Sequence, residues 1–271
     1  MADTTLPEPP VLTKAVFDAV TDKANLSLRP MIVLGILAGI YIGLGGLFAT
    51  IALAQGDDLP FGVAQIIAGL VFALGLALVL VAGAELFTGN TLMAGPVALG
   101  QLAASRALLA LSIVYIANLV GSLTLAGLVT FADVHANGEG AVGRAALDLA
   151  VAKLGKPFGV ILASGILANM LVCLAVWMVY GGHTVTEKIA ALLLPIAAFV
   201  AAGLEHSVAN MYLLPYAFFI QGDHAGYDVT FIGIFANLLA ATMGNLIGGA
   251  LVALAYVAAY RNELAQPDHR K

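Results

Sequence analysis

Six apolar stretches, each long enough to cross about 30 Å of hydrocarbon as a helix, fill most of this chain, at approximately 31–54, 63–93, 106–131, 158–180, 189–219 and 231–260. Between them the chain is sparing with charge. Of its 271 residues 61% are hydrophobic and 10% charged, with a mean hydropathy of +1.00, against roughly 25% charged residues in a soluble domain. In lipid every backbone polar group must be satisfied within the fold, and the runs lack the period-2 alternation of barrel strands. The sequence therefore predicts an all-α integral membrane protein with six transmembrane helices.

Asp3, Glu8, Asp18 and Asp22 precede the first run, which begins only at Met31; a cleaved signal peptide does not look like this. The amino terminus is expected in the cytoplasm. Lys14, Lys23, Arg29, Arg106, Lys188, Arg261, Arg270 and Lys271 then fall on the side of both termini, against Arg144, Lys153 and Lys156 opposite, as the positive-inside rule requires. A multi-pass protein of the cell (plasma or inner) membrane follows. The opposite face is acidic, with Asp57, Asp58, Asp133, Glu139, Asp148, Asp223 and Asp228, which accounts for the net charge of -5. Nothing in this pattern fits a nucleic-acid partner. A single cysteine, Cys173, excludes an intrachain disulfide and reads as a small packing residue. The chain divides into a cytoplasmic segment 1–30, one transmembrane domain 31–260 and a tail 261–271. Within the first segment, Leu12, Val16, Val20 and Ala24 recur at helical spacing, an amphipathic interfacial helix suited to contacting a neighbouring subunit.

Internal similarity joins the two halves. Gly35-Ile36-Leu37-Ala38-Gly39 is echoed by Gly165-Ile166-Leu167-Ala168-Asn169, Asn118-Leu119-Val120-Gly121 by Asn245-Leu246-Ile247-Gly248, and Gly83-Ala84-Glu85 through Asn90 by Gly203-Leu204-Glu205 through Asn210. Three matches in serial order define repeats of about 31–131 and 158–260. With three crossings in each, the second must enter inverted, an arrangement that places binding sites between repeats near the midplane. Thr88, Gly89, Asn90, Gly95 and Pro96 after Glu85, and Ser207 and Asn210 after Glu205, predict interruptions in the second and fifth helices, the former restarting at the proline. Irregular backbone at membrane depth must line a cavity or lie buried in protein.

Charged groups at the bilayer centre cost about 2.5–3.5 kcal/mol or more, so Glu85, Glu205 and His206 are expected to point inward. The glutamates read mainly as scaffold, accepting backbone N–H bonds at the interruptions or meeting asparagines across the bundle. His206 has no twin, since Leu86 stands in the matching place, and its reference pKa near 6.5 suits a proton-handling role. Thr88 offers a hydroxyl from the other interruption. Phe72, Leu76, Phe199, Leu86 and Phe87 surround these groups as packing or as a gate. Lys153 and Lys156 either meet solvent and headgroups or form an anion-attracting vestibule.

A-E-L-F-T-G-N at 84–90, G-I-L-A-N-M-L-V-C-L-A-V-W-M at 165–178, G-L-E-H-S-V-A-N-M at 203–211 and G-N-L-I-G-G at 244–249 together resemble the formate/nitrite transporter family over nearly the whole chain. The resemblance implies an aquaporin-like fold in a homopentamer, with a pore in each protomer and lipid on the fivefold axis. It implies a pore threonine at Thr88, a central histidine at His206 and a vestibule lysine at Lys153. Constrictions fall on Phe72, Leu76, Phe199 and Ala209 outside and on Leu86, Phe87 and Val172 inside. Asn169, Glu205, Asn210 and Asn245 complete a network around His206, with Glu85 and Asn90 as scaffold in the other repeat. Members carry formate, nitrite, hydrosulfide or short acids such as acetate and lactate. The G-N-T at 89–91 resembles nitrite-type members and N-M-Y-L-L-P-Y-A-F-F-I at 210–220 formate-type ones, which favours formate, with protons as the coupled species. A membrane enzyme using Glu205 and His206, or His183 and His224 as metal ligands, is the remote alternative. No H-x-x-x-H or H-E-x-x-H occurs, so no metal, cofactor or catalytic residue is expected.

Overall fold

A computed structural model describes residues 6–54, 59–223 and 226–264. Asp3, Asp57, Asp58, His224, Arg270 and Lys271, counted above, lie outside the described residues, as do residues 265–271 of the tail. In chain order the helices are α1 (Pro9–Ala24), α2 (Leu28–Leu53), α3 (Phe61–Ala82), α4 (Phe87–Asn90), α5 (Ala94–Ala98), α6 (Ala104–Phe131), α7 (Ala141–Leu154), α8 (Phe158–Tyr180), α9 (Val185–Ala201), α10 (Ser207–Ile220) and α11 (Phe231–Leu264). No strand occurs among the described residues. Five helices, α2, α3, α6, α8 and α11, are long and apolar enough to cross a membrane, and α9 and α10 follow one another as two shorter pieces. Helix α2 begins at Leu28, where Arg29 can extend its charge toward water, and α11 is kinked at Tyr260 (φ -124°, ψ 26°), just before Arg261.

The halves pack alike. Helix α2 lies against α3 and α6, α8 lies against α9 and α11, and α3 meets α9 along the seam between the halves. Glycines permit the closest approaches: a Cβ on Gly121 would collide with the Ile36 carbonyl, and one on Gly248 with the Ile166 carbonyl. Gly121 and Gly248 are the final residues of the repeated Asn-x-x-Gly, so this repeat element is a helix-packing device.

Both interruptions follow one plan. Helix α3 ends at Ala82 with Gly83 in the left-handed region (φ 81°), and α9 ends at Ala201 with Gly203 likewise (φ 64°), a conformation that glycine adopts without a Cβ penalty. An asparagine from a distant helix then holds the open backbone. Asn118 Oδ1 accepts from Phe87 N (2.9 Å), while its Nδ2 donates to the carbonyls of Gly35 (2.8 Å) and Glu85 (2.9 Å). Asn245 repeats all three bonds, with Ser207 N (2.8 Å), Gly165 O (2.8 Å) and Glu205 O (3.0 Å).

The restart in the first half differs from expectation. It lies at Phe87, where Asn118 supplies the missing acceptor, and not at Pro96. From Phe87 the chain runs through α4 and a tighter 3₁₀ turn at Thr91–Met93, so it is already helical when it reaches Pro96 inside α5.

Two peripheral helices close the ends of the bundle. Between the two repeats, residues 132–157 contain α7, which starts after a left-handed Gly140 and buries Val142, Ala146, Leu147 and Ala150. At the other end α1 buries Val16, Phe17, Val20 and Ala24 against its own chain, with Phe17 edge-to-face on Trp177 (5.7 Å). Its apolar stripe thus serves the protomer itself.

Candidate functional site

Thr88 lies in the first turn of α4 and His206 is the N-cap residue of α10, so each side chain is placed by one interruption. They meet there. Thr88 Oγ1 and His206 Nε2 are 2.9 Å apart with both residues buried. The other ring nitrogen, Nδ1, accepts the Ala209 backbone N–H at 3.1 Å. A nitrogen that accepts carries no proton, so the neutral ring holds its hydrogen on Nε2 and directs it to Thr88. The Thr88 hydroxyl hydrogen is then available to a third group.

Asn169 braces this pair from α8. Its Nδ2 lies within reach of Thr88 O (3.2 Å), Thr91 Oγ1 (2.9 Å) and Asn245 O (2.6 Å), more acceptors than the amide has hydrogens. Its Oδ1 is buried and unpartnered among the described residues. Thr91 went unrecognised in the sequence, yet its hydroxyl donates to Thr88 O at 2.6 Å and stands 3.5 Å from Cys173 Sγ. A second hydroxyl three residues after Thr88 was the available signal.

The two glutamates sit in matching places with matching partners. Glu85 accepts from Asn90 (2.9 Å) and from Lys23 of α1 (2.7 Å). Glu205 accepts from Asn210 (2.7 Å), Lys153 (3.1 Å) and Lys156 (2.6 Å). The expected acceptance of backbone N–H bonds or of cross-bundle asparagines gives way to lysines and to the asparagine five residues on. The cause lies in the placement of α1, which carries Lys23, and of α7 and the turn after it, which carry Lys153 and Lys156. Asn237, also unrecognised in the sequence, extends the network by accepting from Asn210 Nδ2 (2.8 Å) and donating to Lys153 O (3.4 Å).

One cavity reaches His206 from the α7 end, and a smaller one lies beside the first interruption at the α1 end. The first, of about 80 Å³, is lined by Gln65, Phe72, Lys153, Phe199, His206 and Ala209 among others. Phe72 and Phe199 meet edge-to-face across it at 5.3 Å, and Phe199 lies 5.7 Å from the His206 ring. A smaller cavity of about 20 Å³ at the α1 end is lined by Val20, Lys23, Leu86, Asn90, Val176 and Tyr180 among others. Leu76 and Val172 are buried without lining either cavity, and Phe87 packs edge-to-face on Tyr115 (4.9 Å), toward α6. No group of three or more His, Cys, Asp or Glu side chains suited to a metal occurs among the described residues.

The sequence model described as "Formate/nitrite transporter" matches residues 10–259 of this chain. The formate channel FocA of Escherichia coli (strain K12) is 34% identical over 281 aligned positions that cover 96% of each chain. The uncharacterized transporter YrhG of Bacillus subtilis (strain 168) is 38% identical over 265 positions, covering 94% of each. Among solved structures, a pentameric formate channel with formate bound superposes with a TM-score of 0.82 at 34% identity, covering 86% of this chain and 98% of that one. An FNT family ion channel gives 0.80 at 32%, covering 92% and 98%.

Proposed function

This chain belongs to the formate/nitrite transporter family of channels and transporters, and from that premise we propose that each protomer passes small monovalent anions, formate foremost, along the line joining the two cavities. The carrying observation is the Thr88–His206 hydrogen bond, made between the two interrupted helices where the α7-end cavity terminates. Six crossings, counting α3 with α4–α5 and α9 with α10 as one each, would leave both termini on one side, and the excess of Lys and Arg there favours the cytoplasm for α1 and the termini and the outside for α7, in the cell (inner) membrane. Likeness to a pentameric channel with formate bound supports a homopentamer and formate as substrate. Lipid covers the remaining apolar surface. Nitrite is the second reading, favoured by F-T-G-N-T at 87–91; hydrosulfide and short acids such as acetate or lactate rank lower.

Attraction begins at the outer end. Two ammonium groups, Lys153 and Lys156, face the single carboxylate of Glu205, which leaves one positive charge in excess. The inner end pairs Lys23 with Glu85 one to one. An anion drawn to Lys153 next meets Phe72 and Phe199, where crossing as a bare charge is far costlier than as the neutral acid. Thr88 donates its free hydroxyl hydrogen to the anion oxygen. When that hydrogen leaves with the substrate, the Nε2 hydrogen of His206 replaces it on Thr88, and Nδ1 takes up one proton from water in the cavity. One proton enters and one leaves with the acid, and the ring stays neutral in the other tautomer. Nδ1 must release Ala209 N–H for this.

The test is flux of labelled formate, nitrite, hydrosulfide and acetate into proteoliposomes across a pH series. His206→Asn keeps an N-cap acceptor and cannot relay a proton, while His206→Phe removes both. Loss of the pH dependence in both variants is expected. A His206→Phe protein with wild-type rate and pH dependence sinks the relay.

A further inference from the structure

Most polar groups around the α7-end cavity have their hydrogen bonds committed inside the protein. Asn210 spends its –NH₂ on Glu205 and Asn237 while its buried Oδ1 has no partner among the described residues, His206 spends both ring nitrogens on Thr88 and Ala209, and Lys153 gives one of its three hydrogens to Glu205. Gln65 differs. Its side chain lines the same cavity, is half-buried, and makes no hydrogen bond to any described residue. It stands on α3 seven residues before Phe72, two helical turns or about 10 Å further out on the same face. The amide therefore sits above the mouth of the Phe72–Phe199 constriction, in a cavity shared with Lys153.

The unspent donors suit one kind of guest. A planar monoanion with two oxygens presents acceptors on both, and the cavity of about 80 Å³ has room for three heavy atoms. The uncommitted hydrogens of Lys153 meet one oxygen and the –NH₂ of Gln65 the other. The amide carbonyl can in turn accept the O–H of the acid once it forms, so the same side chain serves the guest before and after protonation. Hydrosulfide has no oxygen and gains little from an amide.

We infer that Gln65 is a specificity-determining residue of the transport path, holding a two-oxygen monoanion against Lys153 before the constriction and favouring such oxyanions over hydrosulfide. This rests on the anion-transport reading above. The experiment is initial-rate flux into proteoliposomes against substrate concentration, for formate, nitrite and hydrosulfide, with the full-length protein and Gln65→Met, which keeps length and volume and loses the amide. Gln65→Leu serves as a second variant. The half-saturating concentrations of formate and nitrite are expected to rise roughly 10- to 100-fold, the scale of one hydrogen bond to a charged group, with unchanged maximal rates and unchanged hydrosulfide flux. Unaltered half-saturation for both oxyanions, or an equal rise for hydrosulfide, overturns the inference. Wild-type protein that passes nitrite and no formate counts against formate as substrate and leaves the Gln65 comparison to be decided on nitrite.

Discussion

Replacing Asn245 by alanine removes one acceptor and two donor interactions from the second interruption in a single step. The side chain is fully buried and bonds Ser207 N, Gly165 O and Glu205 O. Hydrogen bonds contribute about 0.6–1 kcal/mol each in membrane proteins and in general, so three give about 2–3 kcal/mol. Ser207 N and Glu205 O lie at the interruption and gain no helical partner on relaxation, and an unsatisfied buried group adds about 1–3 kcal/mol. The expected loss is about 3–6 kcal/mol with one of the two left unsatisfied and about 4–9 kcal/mol with both. Asn118→Ala removes the three equivalent bonds in the other half and is expected to fall in the same range. Asn245→Asp, which keeps the Ser207 bond and turns an oxygen toward two carbonyls, is expected to be no milder than alanine. The assay is equilibrium unfolding of purified protein in mixed micelles, followed by Trp177 fluorescence. A loss under about 1 kcal/mol for Asn245→Ala, or a large loss in one half only, would refute the view that each asparagine holds its interruption.

Two further outcomes follow from the packing and from the loop before α9. Gly248→Ala, whose Cβ would run into the Ile166 carbonyl, is expected to lose about 1–3 kcal/mol by overpacking, whereas Gly127→Ala, with open space around it, is expected to be neutral or slightly stabilising in the same unfolding assay. The Glu187 carboxylate accepts the backbone N–H groups of His183 and Thr184 in a capping box with Thr184, which holds its pKa below the ordinary carboxylate value. Its folded pKa being the lower, its contribution is fully present above the unfolded value near 4.3 and is lost as pH falls through the folded one. Glu187→Gln should therefore flatten that part of the acid limb of a stability–pH curve, and an unchanged limb would refute the assignment.

The all-helical membrane class, the long apolar helices and the repeated strings were legible because they are local: apolar run length, short repeats, and charge where lipid forbids it. What escaped was set by contacts between distant parts of the chain. The restart at Phe87 is decided by Asn118, 31 residues away, and not by Pro96, the local signal. Lys23 reaches Glu85 across 62 residues and Lys153 reaches Glu205 across 52, so the ammonium partners depend on where α1 and α7 dock. Helix α7 itself escaped because a short alanine-rich amphipathic segment lacks the long apolar run of the spans on either side. Thr91 escaped for a different reason: a threonine in a small-residue turn is ordinary until its hydroxyl is seen on Thr88.

The N-cap bond from Ala209 to His206 has a built-in control in the same molecule. Leu86 holds the equivalent place ahead of α4 and offers no side chain to cap it, yet that interruption closes around Asn118 all the same. A bond that one copy of the design does without is one that the other copy can give up briefly. Duplication has thus left position 206 free of architectural duty: the start of α10 stays where Asn245 holds it whether or not the ring keeps its backbone partner, so this side chain can change its hydrogen bonds without moving the walls around it.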